Sequence, residues 1–246
     1  MRLFCVMVMG VNSRVVLSVS ESLSAKFYEI DSNQSSIHHR LDEVVQRHAR
    51  TKFKAPLRPA QQAIFDQVFC EITQPVILDL GCGTAMSSEY LLKHNANIMV
   101  LGVDKSLARL MRHPLFAKQA AYNHTFVKQG CLGLLRADAI DLIRYCDQKK
   151  MDVDSIKLFY PNPWPKAAHL QRRWHGHAVF PQLLALGAPI ELRTNWLIYA
   201  EEFVRACHSL GVSADLQEYQ PIVSASLFEK KYQTAEVILY RVQTQV

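Results

Sequence analysis

The sequence predicts a doubly wound, mostly parallel Rossmann-like α/β sheet with helices on both faces. Three observations carry this expectation. Short apolar runs alternate with helix-length stretches from about residue 59 onward. The first such run, Val76-Ile77-Leu78-Asp79-Leu80, passes directly into a glycine turn, Gly81-Cys82-Gly83. Acidic residues Asp79, Asp104 and Asp138 stand at or just after the ends of successive runs, where open α/β sheets bind ligands.

Each element follows from local pattern. Pro59 to Ile72 reads as a helix, with Pro59 early and Ala63, Ile64, Phe65, Val68, Phe69 and Ile72 forming an apolar stripe. Val76–Leu80 is a buried strand and Met86–His94 a helix. Ile98–Val103 is a second strand, and Lys105–Arg112 is helical. Cys131–Arg136 is a third strand, followed by a helix over Asp138–Asp147. Ser155–Tyr160, a helix over His177–Leu186, Ile190–Arg193, a helix over Trp196–Ser209 and a last strand over Ala235–Arg241 complete the alternation. Residues 1–57 show no sustained period. They read as a basic, partly disordered N-terminal extension before a domain over 58–246. The opening Met1-Arg2-Leu3-Phe4-Cys5 is interrupted by Arg14, so it reads as a frayed strand or mis-assigned start rather than a signal peptide.

Composition excludes several classes. The chain has 246 residues, 49% of them apolar, enough to bury a core and to rule out wholesale disorder. No apolar stretch approaches the roughly 18 residues needed to span a bilayer. The six cysteines are scattered with no C-x-x-C pair, so neither a zinc knuckle nor a disulfide framework is expected, and a reducing, cytoplasmic setting is. His169, His175 and His177 cluster without an acidic or cysteine neighbour in sequence, so no metal site is expected. A monomer is favoured. The net charge of +6 is uneven: His38–Arg58 carries six Lys/Arg against two acids, and Tyr160–Ile190 carries Lys166, Arg172 and Arg173 with no acid. Concentrated positive charge fits a phosphate-rich partner.

The glycine turn, Asp79-Leu80-Gly81-Cys82-Gly83-Thr84-Ala85, lets the backbone approach a ligand closely. Asp104 lies 21 positions beyond Gly83, where a carboxylate can accept both hydroxyls of a ribose, and Asp138 is placed to hold an adenine. A dinucleotide fingerprint needs a third small residue where Met86 stands, and the G-K-[ST] ending of a phosphate-gripping loop is missing. The turn resembles motif I of the class I S-adenosylmethionine-dependent methyltransferases, acid-x-G-x-G-x-G, with Ala85 at the final glycine.

After the fourth strand comes Tyr160-Pro161-Asn162-Pro163-Trp164-Pro165-Lys166, then His169, Arg172, Arg173 and Trp174. Three prolines in five residues are expected to hold this backbone extended and stiff, presenting Asn162 and Trp164 beside the cofactor. Trp164 or Trp174 is placed to stack on a base. The segment resembles the P-D-P-W-x-K-x-R-H-x-K-R-R signature of the bacterial tRNA (guanine-N7) methyltransferases. Arg193-Thr194-Asn195-Trp196-Leu197-Ile198-Tyr199-Ala200 is similar to that family's T-D-W-x-x-Y-A, and Ser226-Leu227-Phe228-Glu229 to its T-x-F-E.

The resemblance implies transfer of a methyl group from S-adenosylmethionine to guanine N7 in tRNA. It assigns Asp79, Gly81, Gly83, Asp104 and Asp138 to the cofactor, and Asn162 to the position of the family's catalytic aspartate. Lys166, His169, Arg172, Arg173, Asn195, Ser226 and Glu229 fall to the tRNA substrate. Four residues depart from the pattern: Asn162 and Asn195 stand where the family has Asp, Ala168 replaces an Arg and Gln171 a Lys. Guanine N7 already carries an in-plane lone pair, so no base is required, and the departures imply slower transfer rather than none. Two alternatives stay open. Asn162-Pro163-Trp164 is similar to the N-P-P-Y type loop of exocyclic-amine methyltransferases acting on adenine N6 or protein amides, and a catalytically weak tRNA-binding paralog would keep the same surface.

Overall fold

The computed structural model describes residues 30–51, 53, 55–119 and 125–245. The expected strand or mis-assigned start near residue 1 lies outside these residues. Two helices lead, α1 (Leu41–Arg50) and α2 (Pro59–Cys70). Then come β1 (Val76–Leu80), α3 (Met86–His94), β2 (Met99–Asp104), α4 (Leu107–Leu110), α5 (Pro114–Gln119), β3 (Phe126–Gln129) and β4 (Leu132–Arg136). The second half holds α6 (Ala139–Lys149), β5 (Val153–Phe159), 3-10 turns over Ala167–Arg172 and Trp174–Gly176, and α7 (Phe180–Ala185). It closes with β6 (Ile190–Thr194), α8 (Leu197–Ser209), β7 (Ala214–Tyr219), α9 (Leu227–Thr234) and β8 (Leu239–Thr244).

The eight strands form one sheet in the order β3-β4-β2-β1-β5-β6-β8-β7. The five central strands, β4 through β6, run parallel. β3 folds back antiparallel on β4, and β8 inserts antiparallel between β6 and β7. β1 is buried along its whole length, as a strand covered by helices on both faces must be. Its side chains alternate between two apolar layers: Val76, Leu78 and Leu80 join one, Ile77 the other. The chain turns to opposite sides after β1 and after β4, so the carboxyl ends of β1, β2 and β5 open a crevice there.

The helix and strand expectations hold for the alternating core, with three informative differences. Lys105–Arg112 shortens to α4, because Ser106 ends the preceding turn and its hydroxyl accepts the Arg109 N–H. The last strand lies at Leu239–Thr244, after α9, rather than at Ala235–Arg241. β3, β7 and α9 carry too little continuous apolar pattern to be read in advance; β7 is an edge strand with mostly exposed or half-buried residues. A further difference concerns the leading segment, expected to lack a core pattern. Residues 41–50 form α1, whose Leu41, Val44 and Val45 are buried in the main core against α7 and α8. Arg205 of α8 grips Asp42 at 2.6 Å on the outer side.

Among the described residues no helix is long and apolar enough to cross a membrane, and no cluster of three or more His, Cys, Asp or Glu is placed to hold a metal ion.

Candidate active site

The carboxyl ends of β1, β2 and β5 open into a cavity of about 1180 Å3. Its floor is the glycine loop from Leu80 to Thr84, its back wall Asp104, Asp138 and Ile140, and its mouth the proline loop from Tyr160 to Trp164. Asn195 and Tyr199 contribute from the start of α8, and α9 closes the remaining side. A shallower groove of about 580 Å3 lies elsewhere, between Ile37, Val204 and Leu216, and contains none of these features.

The glycine loop is shaped by three left-handed residues, Gly81 at φ +85°, Gly83 at +61° and Ala85 at +63°. A Cβ built on Gly81 meets no atom within 4 Å, so a side chain there would enter the cavity. Gly102 on β2 plays a packing part. A Cβ there would strike the Ser88 hydroxyl and come within 2.9 Å of Leu134. Its absence lets α3 sit down on the sheet, where Ser87 and Ser88 each donate 2.6 Å hydrogen bonds to Asp79.

Asp79 is therefore placed differently from the expectation that it binds cofactor. It is 1% exposed and does not line the cavity, because its side chain turns under the loop to meet α3. Burial pushes its carboxyl up to about 6 despite the two hydroxyls. Its role is to tie the glycine loop to the helix that follows.

Asp104 does line the cavity. Its Oδ2 accepts the Gly83 N–H at 3.0 Å and its Oδ1 the Ser106 N–H at 2.7 Å, which aims the carboxylate and fixes the loop facing it. Arg109 reaches the same carboxylate at 3.4 Å. Asp138 caps α6 through Oδ1, which accepts the Ile140 N–H at 2.9 Å. Each carboxylate keeps acceptor capacity beyond these bonds. The residues present fit S-adenosylmethionine. Asp104 would take the ribose hydroxyls, Asp138 and the adjoining backbone the adenine, and the open side of Gly81 and Gly83 the amino-acid end.

The mouth is strained and cationic. Tyr160 and Trp164 sit at φ +53° and +45°, so the proline loop is not extended throughout as expected. Prolines fix three φ values, and the residues between them absorb the turns. Asn162 is exposed at the lip, and its side-chain carbonyl accepts the Trp164 N–H at 3.2 Å. The Arg172 guanidinium lies over the Trp164 ring, 4.8 Å from its centroid, with His169 edge-on at 5.6 Å. Lys105, Arg112, Lys230 and Lys231 complete a ring of exposed cations around the opening. These four carry no motif in the sequence. Lys105 directly follows Asp104 and Arg112 lies eight positions beyond it, while the placing of Lys230 and Lys231 depends on α9, whose sequence has no continuous apolar pattern.

Of the other expected substrate residues, Asn195, Ser226 and Arg172 line the cavity, whereas Lys166 and His169 stand outside it. Two are corrected. Arg173 is 0% exposed, its guanidinium bound to Glu202 at 2.5 Å and to the Trp164 carbonyl at 3.1 Å. Glu229 is likewise 0% exposed. It accepts from Arg193 at 2.8 Å, from the Tyr160 hydroxyl at 3.0 Å and from the Ala225 N–H at 2.6 Å. Both are occupied inside the fold and hold the walls of the mouth instead of touching what enters it.

A parallel sheet with an antiparallel strand inserted next to its last strand, a glycine loop after β1 and an acid at the end of β2 together define a class I methyltransferase fold. Residues 73–241 match the methyltransferase family Methyltransf_4, and the chain belongs to that family. Among curated relatives, a tRNA (guanine-N(7)-)-methyltransferase of Mycolicibacterium gilvum is 30% identical over 51% of this chain and 45% of its own length. One from Burkholderia vietnamiensis is 26% identical over 61% of this chain and 55% of its own. One from Paraburkholderia xenovorans is 26% identical over 73% and 68%. The chain thus spans about half the length of the first of these relatives.

Proposed function

We propose that this protein transfers a methyl group from S-adenosylmethionine to guanine N7 in tRNA. The observation that carries the reading is that one cavity joins the glycine loop and Asp104 to the proline-tryptophan loop and a ring of cations. The names of the relatives support the same substrate.

The cofactor supplies an electrophilic methyl carbon on a sulfonium. Attack of the N7 lone pair would form the new N–C bond with the C–S electron pair going to sulfur, so the chain would need to remove no proton. The chain's task is placement in line and a fitting field. Asp104 and the glycine loop would hold the donor. Trp164, stiffened by its proline neighbours and by Arg172, offers a face on which a base can stack. The exposed cations flanking α4, on α9 and on the loop meet the backbone phosphates.

Asn162 is the residue whose chemistry limits the rate. Methylation leaves a positive charge on the guanine, and an amide does not neutralise it as a carboxylate would. Among the described residues that line the cavity the only carboxylates are Asp104 and Asp138, both on the donor side. Nucleoside analysis of tRNA incubated with the protein and labelled cofactor tests the reading. N7-methylguanosine is expected, and Asn162→Asp is expected to raise its rate roughly tenfold or more. A different methylated nucleoside would replace the substrate assignment. An inert wild type together with an inert Asn162→Asp variant would leave a tRNA-binding paralog.

A further inference from the structure

The proline loop lies beyond the last residue of β5, and its first residue, Tyr160, still donates its N–H to the Arg193 carbonyl of β6 at 2.8 Å. Its backbone groups still need partners. They find them on two sides. Arg173 donates to the carbonyls of Trp164 at 3.1 Å and Lys166 at 3.4 Å. Further partners come from the short arm that precedes α1. The Ser32 hydroxyl donates to the Pro165 carbonyl at 2.6 Å, and the Ala167 N–H donates to the Asn33 side-chain carbonyl at 3.1 Å. Four consecutive loop residues, 164 to 167, are thus held by the arm and one arginine.

The same arm also holds the arginine. Gln34 accepts from Arg173 at 3.0 Å through its carbonyl and donates to Glu202 at 2.6 Å through its amide nitrogen. Glu202 accepts the His38 backbone N–H at 2.9 Å as well, and its second oxygen receives Arg173 and His175. These partners are separated by more than 130 positions in sequence, so the contact is tertiary and specific. Ser32, Asn33 and Gln34 do not line the cavity, yet they fix the loop that carries Asn162 and Trp164.

We propose that Ser32, Asn33 and Gln34 are positioning residues for the acceptor: the arm clamps the proline loop so that its tryptophan and arginine face the mouth. Prolines cannot donate to a ladder, so a loop rich in them is set by what its carbonyls accept. The clamp supplies that. The proposal rests on the reading of the mouth as the RNA acceptor side, and its test separates the two.

The Ser32→Ala/Asn33→Ala double variant and Gln34→Ala change exposed or half-buried side chains and leave the core intact. Trypsin cleavage of the full chain after Lys166 reports the loop directly, with cleavage after Arg112 and Lys230 as references. Both variants are expected to accelerate cleavage after Lys166 at least fivefold with the references unchanged. They are also expected to lower kcat/KM for tRNA at least fivefold while S-adenosylmethionine affinity stays within twofold. Unchanged cleavage after Lys166, or equal acceleration at all sites, overturns the clamp. Selective acceleration with unchanged kcat/KM overturns its role in placing the acceptor. A wild type and an Asn162→Asp variant that both methylate no tRNA bring down the guanine-N7 reading, and the clamp is then decided by the cleavage pattern alone.

Discussion

The two halves of the cavity are built by different means. The donor half is backbone: glycines in left-handed conformations, N–H groups aimed by Asp104 and Asp138, and a floor tied down by two serines on Asp79. The acceptor half is side chain. Its loops are irregular, and two buried arginines organise them. Arg173 joins the proline loop to Glu202, while Arg193 joins α9 to β6 through Glu229 and Glu191, stacked over Phe159 at 4.0 Å and Tyr219 at 4.6 Å. A cofactor of fixed shape suits a rigid turn made by few residues. A polymer substrate needs a wide mouth, and loops of that reach must be pinned from behind by charges taken out of water.

That difference predicts unequal costs. Arg173→Met leaves Glu202 buried without its guanidinium partner and is expected to lower stability by about 3–5 kcal/mol. Ser87→Ala removes one of two hydroxyls from Asp79 and is expected to cost about 1 kcal/mol. Urea unfolding of the two variants checks the ratio. Equal losses would mean that the acceptor half does not depend on its ion pairs.

The halves also respond to acid with opposite signs. Burial pushes the Glu202 carboxyl up, but bonds and charge from His175 and Arg173 outweigh it and hold it down at about 2. Its stabilisation is present above the ordinary glutamate value near 4.5 and is lost as pH falls toward 2. Asp79 is raised to about 6 by burial, so between pH 4 and 6 the fold binds a proton that the unfolded chain releases. Its contribution is therefore lost as pH rises through that window. Each effect is on the order of 3 kcal/mol. Stability measured from pH 3 to 7 is expected to lose its low-pH decline in Glu202→Gln and its decline between pH 4 and 6 in Asp79→Asn.

The same contrast explains what could be read in the sequence. The geometry of the donor half was legible because local pattern determines it: an apolar run, two glycines and an acid after the next run fix a left-handed turn and the carboxylate that faces it. The acceptor half was legible as motifs but not as roles. Arg173 and Glu229 look like substrate contacts because they fall in the segments that resemble the family's proline-tryptophan and T-x-F-E motifs. Only the fold shows that Glu202 and Arg193 take them up. Asp79 was misjudged for a related reason, since its placement depends on Gly102 admitting Ser88. The part of residues 1–57 that the structure describes was misread because α1 contributes only three buried apolar residues to the core, and the arm before it acts through polar bonds to the distant loop.

The smallest effect is expected where this chain departs from motif I on the donor side. Ala85 stands at φ +63° with no exposed surface, in the place of the motif's last glycine. Left-handed backbone costs an alanine about 1–2 kcal/mol. Against that, Ala85→Gly would lose a buried methyl, about 0.8 kcal/mol, and gain unfolded-state freedom, about 0.4–1 kcal/mol. The terms nearly cancel, so Ala85→Gly is expected to shift stability by less than about 1 kcal/mol and leave cofactor affinity within a factor of about five. Ala85→Val keeps the unfavourable φ and adds a β-branched side chain in a filled space, so it is expected to destabilise by several times that amount. Thermal unfolding of the two variants with and without S-adenosylmethionine distinguishes the cases. A large gain from Ala85→Gly would mean that the left-handed backbone at Ala85 costs more than its buried methyl returns, and that the donor half stores strain as the mouth does.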